Sequence, residues 1–531
     1  MTDSVYGIDL GTTYSAIARI SALGAPEIIN NFEGDQTTPS AVFFESPGNA
    51  VVGKEAKNAA VTDPDNSCML IKKHMGTEFP QDFHGETFTP EALSALILRE
   101  LVNAANQESD SEVSKVVITV PAYFGVQERQ ATRQAGQMAN LDVVGIVTEP
   151  VAAALSIGSR SDGPETIMVY DLGGGTFDTT IMRVDSGKVS VLAIDGNRVL
   201  GGSDWDRALI DLIADRFVSE ADLEDDDPRH DEEFMQDLAL KAEELKKSLT
   251  RKENAKIRPD YAGKRVDIDV LRSDFEEATA HLLEQTIEIA ERTVKTAQGK
   301  NPDLKIDRVL LVGGSSRMPM VRNALKDRLG WEAQDTEFDL AVAKGAAIYG
   351  QAAIDEVLVT GDEVETVEPQ NAVSRPYFPG QAGTLTVSNV LSRGVGMEFV
   401  RDSNPDDPYI AFFAHANDGI PFTPEPTRGY TSVANQASVN IKMYQQSGEI
   451  ESDVVEDNVL LKESSLELSP GLPKESEVEI YVDITAEGVV KLRVVDPKSG
   501  NETNLEATVS VLSEEEIAQQ TKTVSGITLR S

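Results

Sequence analysis

The stretch Val169–Met182, VYDLGGGTFDTTIM, can be used by few folds. Val169–Leu172 is an apolar run carrying one Asp, and Phe177–Met182 resumes with residues suited to a strand. Gly173, Gly174 and Gly175 leave the turn between them without Cβ atoms. A phosphate can then approach the main chain and take hydrogen bonds from several N–H groups. Asp171 and Asp178 flank that turn. Alone they would repel a phosphate; with a hard cation such as Mg²⁺ between them and the phosphate, they fit. The plainer reading is a Gly-rich hairpin with nothing bound. It is the weaker one, because three glycines carry an entropic cost and an apolar strand rarely holds an Asp without a use for it.

The pattern occurs once before. Tyr6–Ile20 reads YGIDLGTTYSAIARI, and Asp9-Leu10-Gly11 matches Asp171-Leu172-Gly173. The duplication suggests two related halves closing on one ligand. Thr12, Thr13 and Thr176 add hydroxyls for phosphate oxygens or metal-bound water. A third element, VLLVGGSSRMPM at Val309–Met320, is a buried-type strand with a Gly313-Gly314 turn, Ser315 and Arg317, and Pro319 at a helix start. The glycine pair would let a flat ring lie on the backbone, with Arg317 stacked over a purine face. Neither G-x-x-x-x-G-K-[ST] nor a helix-opening G-x-G-x-x-G occurs.

GIDLGTTYS, VYDLGGGTFD and LLVGGSSRMP, in this order and spacing, resemble the Hsp70 (DnaK-type) chaperone ATPase, whose wider relatives are actin and the sugar kinases. VITVPAYFGVQERQATRQAG (Val117–Gly136) and IVTEPVAAAL (Ile146–Leu155) resemble Hsp70 specifically. The likeness runs from residue 4 to about 356, then more weakly. It implies an α/β, actin-like, two-lobed ATPase domain followed by an all-β sandwich, slow ATP hydrolysis, and ATP/ADP with Mg²⁺ and K⁺ as cofactors. It makes Lys72 the catalytic lysine at the γ-phosphate and Lys73 its solvated neighbour. Glu149, Asp171, Asp9 and Thr176 join Lys72 in the catalytic set, and Asp9, Asp171, Glu149 and Asp178 become metal ligands, mostly through water. Nucleotide contacts fall to Gly11, Thr12, Thr13, Tyr14, the three glycines, Gly201, Gly202, Glu243, Lys246, Lys247, Thr250, Gly313, Gly314, Ser315, Arg317 and Asp339. Lys247 and Thr250 stand where the family often has Arg and Ser. Pro121, Arg129 and Pro150 become a relay between domains. Without the resemblance, Glu149 reads as a carboxylate at a helix start, and Glu243 and Lys247 as an i,i+4 surface pair.

Composition bounds the class. The chain has 531 residues, 40% of them hydrophobic, enough for two or more domains with sizeable cores. A formal net charge of −41 argues against nucleic acid and anionic membranes as partners. One cysteine, Cys68, excludes an internal disulfide and reads as a small core residue. The N-terminal residues enter a strand without a leader-like pattern, and no apolar run reaches membrane-spanning length, so a cytoplasmic protein is expected.

The expected domains are residues 1–356 for the ATPase, 357–382 for an acidic Pro/Gly linker, 383–512 for the sandwich and 513–531 for a polar tail. Short alternating segments from Thr384–Val387 to Val489–Val495, with turn signals between them, carry the sandwich reading. By resemblance Met397, Val400, Tyr430, Val439 and Ile441 line a groove for extended apolar polypeptide; plain sandwich core is an equal reading. Ser513–Gln520 supplies at most two helical turns, so the family's helical lid is not expected. J-domain co-chaperones and exchange factors are the implied protein partners. Here Gly125-Val126 follows the Pro121–Phe124 tetrad where the family has Asn-Asp, and Gly145 replaces an Arg, so common J-proteins are expected to stimulate the ATPase poorly. The competing readings are an ATP-binding adaptor or exchange factor, which the intact phosphate motifs disfavour, and a small-molecule kinase, which leaves the sandwich unexplained.

Overall fold

The computed structural model describes every residue except 1–3, 109–111, 159–162, 186, 224–226, 338–339, 356–357, 361–383, 402–403, 449, 487, 508–511 and 531. In the first half, β1 (Val5–Asp9), β2 (Tyr14–Ile20) and β3 (Pro26–Ile29) form an antiparallel meander. A small outlying unit follows, with β4 (Ala41–Ser46), β5 (Asn49–Val52) and α1 (Lys54–Ala59). Then come α2 (Pro90–Glu108), β6 (Lys115–Val120), α3 (Val126–Met138), β7 (Asp142–Thr148) and α4 (Glu149–Ile157). β6 and β7 extend the sheet in parallel, giving the order β7-β6-β1-β2-β3.

The second half repeats this path. β8 (Glu165–Leu172), β9 (Phe177–Asp185) and β10 (Lys188–Asn197) form the meander. After α5 (Gly202–Ala221), α6 (Glu232–Arg251) and α7 (Ala280–Lys300), β11 (Arg308–Val312) pairs in parallel with β8. α8 (Pro319–Leu329) and β12 (Ala333–Asp335) complete the order β12-β11-β8-β9-β10. The central strands are continuous apolar runs because helices cover both faces of each sheet. α9 (Ala341–Ile354), rich in Ala and Gly, crosses back to pack on β1 and α4, where side chains of both halves share one apolar core.

Two segments differ from the expected domain limits. β13 (Leu358–Thr360) and β14 (Leu385–Val390) add to the second half's sheet, β14 running parallel to β10 with Lys188 opposite Thr386. Thr384–Val387, read as the first piece of the sandwich, therefore belongs to the α/β sheet. Leu385, Val387 and Val390 are buried in the core shared by the two halves, and an apolar β edge can accept such a strand from anywhere in the chain. Apart from β13, the expected linker lies outside the described residues.

Eight further strands form two four-stranded sheets. β15 (Val395–Arg401), β16 (Asn404–Ala414), β17 (Thr427–Tyr430) and β18 (Ser438–Gln446) are followed by β19 (Asn458–Glu467), β20 (Glu477–Ile484), β21 (Val490–Val495) and β22 (Glu502–Ala507). The orders are β16-β15-β18-β19 and β17-β20-β21-β22, and one apolar core takes side chains from both. The tail also differs from expectation. α10 (Glu514–Gly526) and β23 (Thr528–Arg530) fold onto the first half. A Ser513–Glu516 capping box starts the helix, with Ser513 N donating to Glu516 Oε2 at 2.8 Å. Cys68 is buried, and burial pushes its thiol up to about 12. No helix among the described residues is long and apolar enough to cross a membrane.

Glu100, on α2, is buried with one carboxylate oxygen lacking a hydrogen-bond partner. Burial first, then the Glu33 charge, push it up to about 7, with neighbouring Arg99 opposing. Its folded value thus exceeds its unfolded one, near 4.5. Its stabilising protonation is fully present below pH 4.5 and is lost as pH rises toward 7. Glu100→Gln is expected to stabilise the first half by roughly 1–3 kcal/mol at pH 8 and hardly at all at pH 4.5. Thermal melts at the two pH values check this; equal gains at both would refute it.

Candidate functional site

A cavity of about 1040 Å³ lies between the two halves. It is lined by three Gly-containing turns, Gly11–Tyr14 after β1, Gly173–Thr176 after β8 and Gly313–Arg317 after β11, with Ser203 at the start of α5 beside them and the glycine turn into α5 packed behind. The turns nest because they lack side chains. A Cβ on Gly174 would stand 2.3 Å from Thr13 side-chain atoms, and one on Gly201 would be 2.4 Å from the Gly175 carbonyl carbon. Gly313 takes a φ of 77°, and a Cβ there would meet Asp171 Oδ1 at 2.5 Å.

Most residues singled out in the sequence converge here. Asp9, Gly11, Thr12, Thr13, Tyr14, Lys72, Glu149, Asp171, Gly173, Gly174 and Thr176 line the cavity, as do Glu243, Lys246, Lys247, Thr250, Gly313, Gly314, Ser315 and Arg317. Gly175, Gly201, Gly202 and Asp178 stand directly behind that wall or in its packing. Asp339 lies outside the described residues.

At the cavity floor Lys72 Nζ donates to Glu149 Oε1 at 2.5 Å, with both side chains nearly buried. Asp9 Oδ1 accepts from Thr119 Oγ1 at 3.0 Å, which orients it. Asp178 faces Asp171 across the β8–β9 ladder and keeps one buried oxygen without a partner. Burial, then the charges of Glu149 and Asp171, push its carboxyl well above the usual range. Several carboxylates around an unsatisfied buried oxygen suit a hydrated divalent cation. Among the described residues, no three acidic or imidazole side chains converge closely enough to hold a metal directly.

At the opposite wall, α1 and α6 meet across the cavity. Lys57 of α1 pairs with Glu243 of α6. Tyr14 OH donates to Glu243 Oε1 at 3.1 Å, and Lys247 Nζ lies 3.0 Å from the same oxygen. Burial works against the Glu243 charge, but Lys57 and then Lys247 hold its carboxyl down to about 2. Lys246 Nζ donates to Gly202 O at 3.0 Å and to Asp206 at 2.8 Å, fastening α6 to α5.

Sequence reading missed Lys57, Asp206 and Thr119, which carry no local motif. It also misplaced Lys73. That side chain is not simply solvated: it donates to Ser203 Oγ at 3.0 Å, and its Cε lies 2.6 Å from where a Gly175 Cβ would be. Its amine is lowered, first by burial.

The five expected groove residues separate. Met397 and Ile441 are core, 4% and 1% exposed, and Val439 packs against that core. Val400 and Tyr430 stand on the surface, 45% and 61% exposed. Of the expected relay, Pro121 follows β6 and Pro150 opens α4 beside Glu149. Arg129, lowered to about 10 by burial, donates from Nε to Phe124 O at 2.9 Å. It borders a small cavity with Leu391, Ile420 and Gln445, where the sandwich abuts the first half. Arg393 lies 3.5 Å from Glu128 there, and Ser392 Oγ donates to Phe124 O at 3.1 Å. A Cβ on Gly125 would stand 2.7 Å from Gln445 Oε1, and one on Gly145 would be 3.1 Å from the Tyr349 ring. The two departures from the family pattern thus leave room for these neighbours.

Two α/β halves of one topology, closing three glycine turns, a lysine and a carboxylate group on a shared cleft, define a phosphate-binding nucleotide site. A family profile described as "Hsp70 protein" matches residues 5–368. The chaperone protein DnaK from each of two strains of Halobacterium salinarum is 37% identical over 510 residues, covering 94% of this chain and 74% of the relative. The chain belongs to the Hsp70 family, and as a member it is an ATP-binding chaperone of protein folding and the stress response.

Proposed function

We propose that the two halves form a two-lobed, actin-like ATPase whose slow hydrolysis of ATP governs the binding of extended apolar polypeptide by the β-sandwich. The buried Lys72–Glu149 pair at the floor of the inter-half cleft carries this reading. Lys72 would place its charge on the transferring phosphoryl, Thr176 would add a hydroxyl, and Glu149 would orient the attacking water. Asp9, Asp171 and Asp178 would hold hydrated Mg²⁺, which supplies charge neutralisation at the phosphates. Glu243, Lys246, Lys247 and Arg317 would receive the nucleoside. Pro121, Arg129 and Pro150 would pass the state of the site to the sandwich that abuts Phe124 and Arg129. On this reading the ATPase spans about residues 1–356 with β14 as a late addition, and J-domain proteins and exchange factors are candidate partners. Without the polar side chains that the family carries at positions 125 and 145, a general J-protein would stimulate the turnover weakly.

The test is ATP turnover with and without an unfolded apolar peptide. Peptide is expected to stimulate it, and Val400→Asp to weaken peptide affinity about tenfold or more with peptide-free turnover unchanged. Met397→Asp, which puts a charge in the sandwich core, is expected to unfold that domain. Turnover indifferent to peptide in the intact chain would contradict the coupling.

A further inference from the structure

The last eighteen described residues do not hang free. α10 lies on α2 and α3, and Val524 and Ile527 are 0% and 3% exposed within the first half's apolar core. Arg99 of α2 reaches the end of α10 with its guanidinium, donating to Val524 O and, at 3.1 Å, to Ile527 O. Gln520 Nε2 donates to Thr87 O at 3.0 Å. β23 then pairs in parallel with β5, Thr528 opposite Asn49 and Arg530 opposite Val51. It occupies the edge of the small β4–β5 sheet.

The last contact reaches the cleft. Arg530 Nη2 lies 2.9 Å from Glu45 and 2.8 Å from Glu55. Glu55 belongs to α1, whose Lys57 crosses the cavity to Glu243. α1 is therefore held on one side by the tail and on the other by the opposite half. The tail's anchor is small: Val524 is the only fully buried side chain of α10. Its other end is tied to the sandwich. Between Ala507, where β22 ends, and Glu514 the chain can span at most about 25 Å. A sandwich that moved farther than this from the first half would pull the tail off.

We propose that the β5 edge and the α2–α3 face form a docking surface for the chain's own residues 513–530, and that their seating braces α1 and slows nucleotide release. The slowing of release rests on the nucleotide reading of the cleft; the docking does not.

The experiment uses the full chain and fluorescent ADP. Ile527→Asp is expected to raise hydrogen exchange at the 49–51 and 528–530 amides and to speed ADP release about fivefold or more. Arg530→Glu, which leaves the apolar anchor intact, is expected to speed release two- to threefold; it serves if the first variant does not fold. A synthetic peptide of residues 513–531 added to Ile527→Asp is expected to restore slow release. Increased exchange with an unchanged release rate overturns the brake. Unprotected 528–530 amides in the wild-type chain overturn the docking itself. A wild-type chain that binds no fluorescent ADP overturns the nucleotide reading, and with it the brake, while the exchange measurement reads the docking independently.

Discussion

Replacing Lys72 by alanine is expected to lower single-turnover ATP hydrolysis by about 10²–10³-fold while leaving ATP affinity within a few fold. Lys72 is 5% exposed and sits among carboxylates, in contact with Glu149 and near enough to Asp178 to oppose its protonation. A cation fixed in so dry a place needs no reorganisation as charge develops on a phosphoryl group, so its effect falls on the transition state more than on the bound ground state. Many backbone and hydroxyl contacts remain to hold the phosphates. Lys73→Ala provides the internal comparison, because Lys73 reaches Ser203 and the Gly175 turn rather than Glu149. Rapid-quench measurement with enzyme in excess reads the chemical step directly. Unchanged hydrolysis in Lys72→Ala, or an equal loss in both variants, would refute the catalytic role proposed for Lys72.

Gly345→Ala is expected to destabilise the α/β domain by about 3 kcal/mol or more, enough to deplete soluble protein. Gly345 is on α9, and an ideal Cβ there would stand 1.7 Å from Ala152 O of α4. A backbone carbonyl inside a helix cannot step aside as a flexible side chain can. The same helix comes close to β1, where a Cβ on Gly7 would be 2.1 Å from Ala347 N. α9 follows the second half's sheet yet packs on the first half, so separating α9 from α4 would disturb the seam between the halves as well as local packing. Thermal unfolding and ADP affinity should both suffer. A variant with wild-type melting would show that the helices can part cheaply.

The parts of the site that were legible in the sequence are those made of neighbouring residues. A strand, an Asp and a glycine turn are contiguous, and each residue type has a local physical reason to be there. The repeat of that pattern announced two related halves, and the sheets follow the same path twice. Helices with a full apolar stripe, such as α2, were equally plain. β19 was not: NVLLKESSLE alternates poorly, and it becomes a strand through its pairing with β18.

Groove and tail show the limit. Met397 and Val400 are three residues apart on one short strand, so they face opposite sides and cannot both line one groove face; the facing sheet decides which of them is core. In the tail, Thr521, Thr523 and Ser525 are weak helix formers, so a reading by propensity stops α10 early. Val524 and Ile527, seated in the first half's core, carry it on to Gly526.

By itself, then, the sequence determined the phosphate turns, the duplicated α/β architecture and the β-rich C-terminal region. All depend on short-range patterns that hold wherever the segment ends up. Tertiary structure alone decided that Lys57 would clasp Glu243, 186 positions away, and that Arg99 would hold the tail, 425 positions away. It also decided that Leu385–Val390 would join the α/β sheet. Such contacts form between surfaces that become complementary only after each has folded, and a charged helix position or an apolar strand looks the same in the chain whether it will meet solvent, a ligand or another domain.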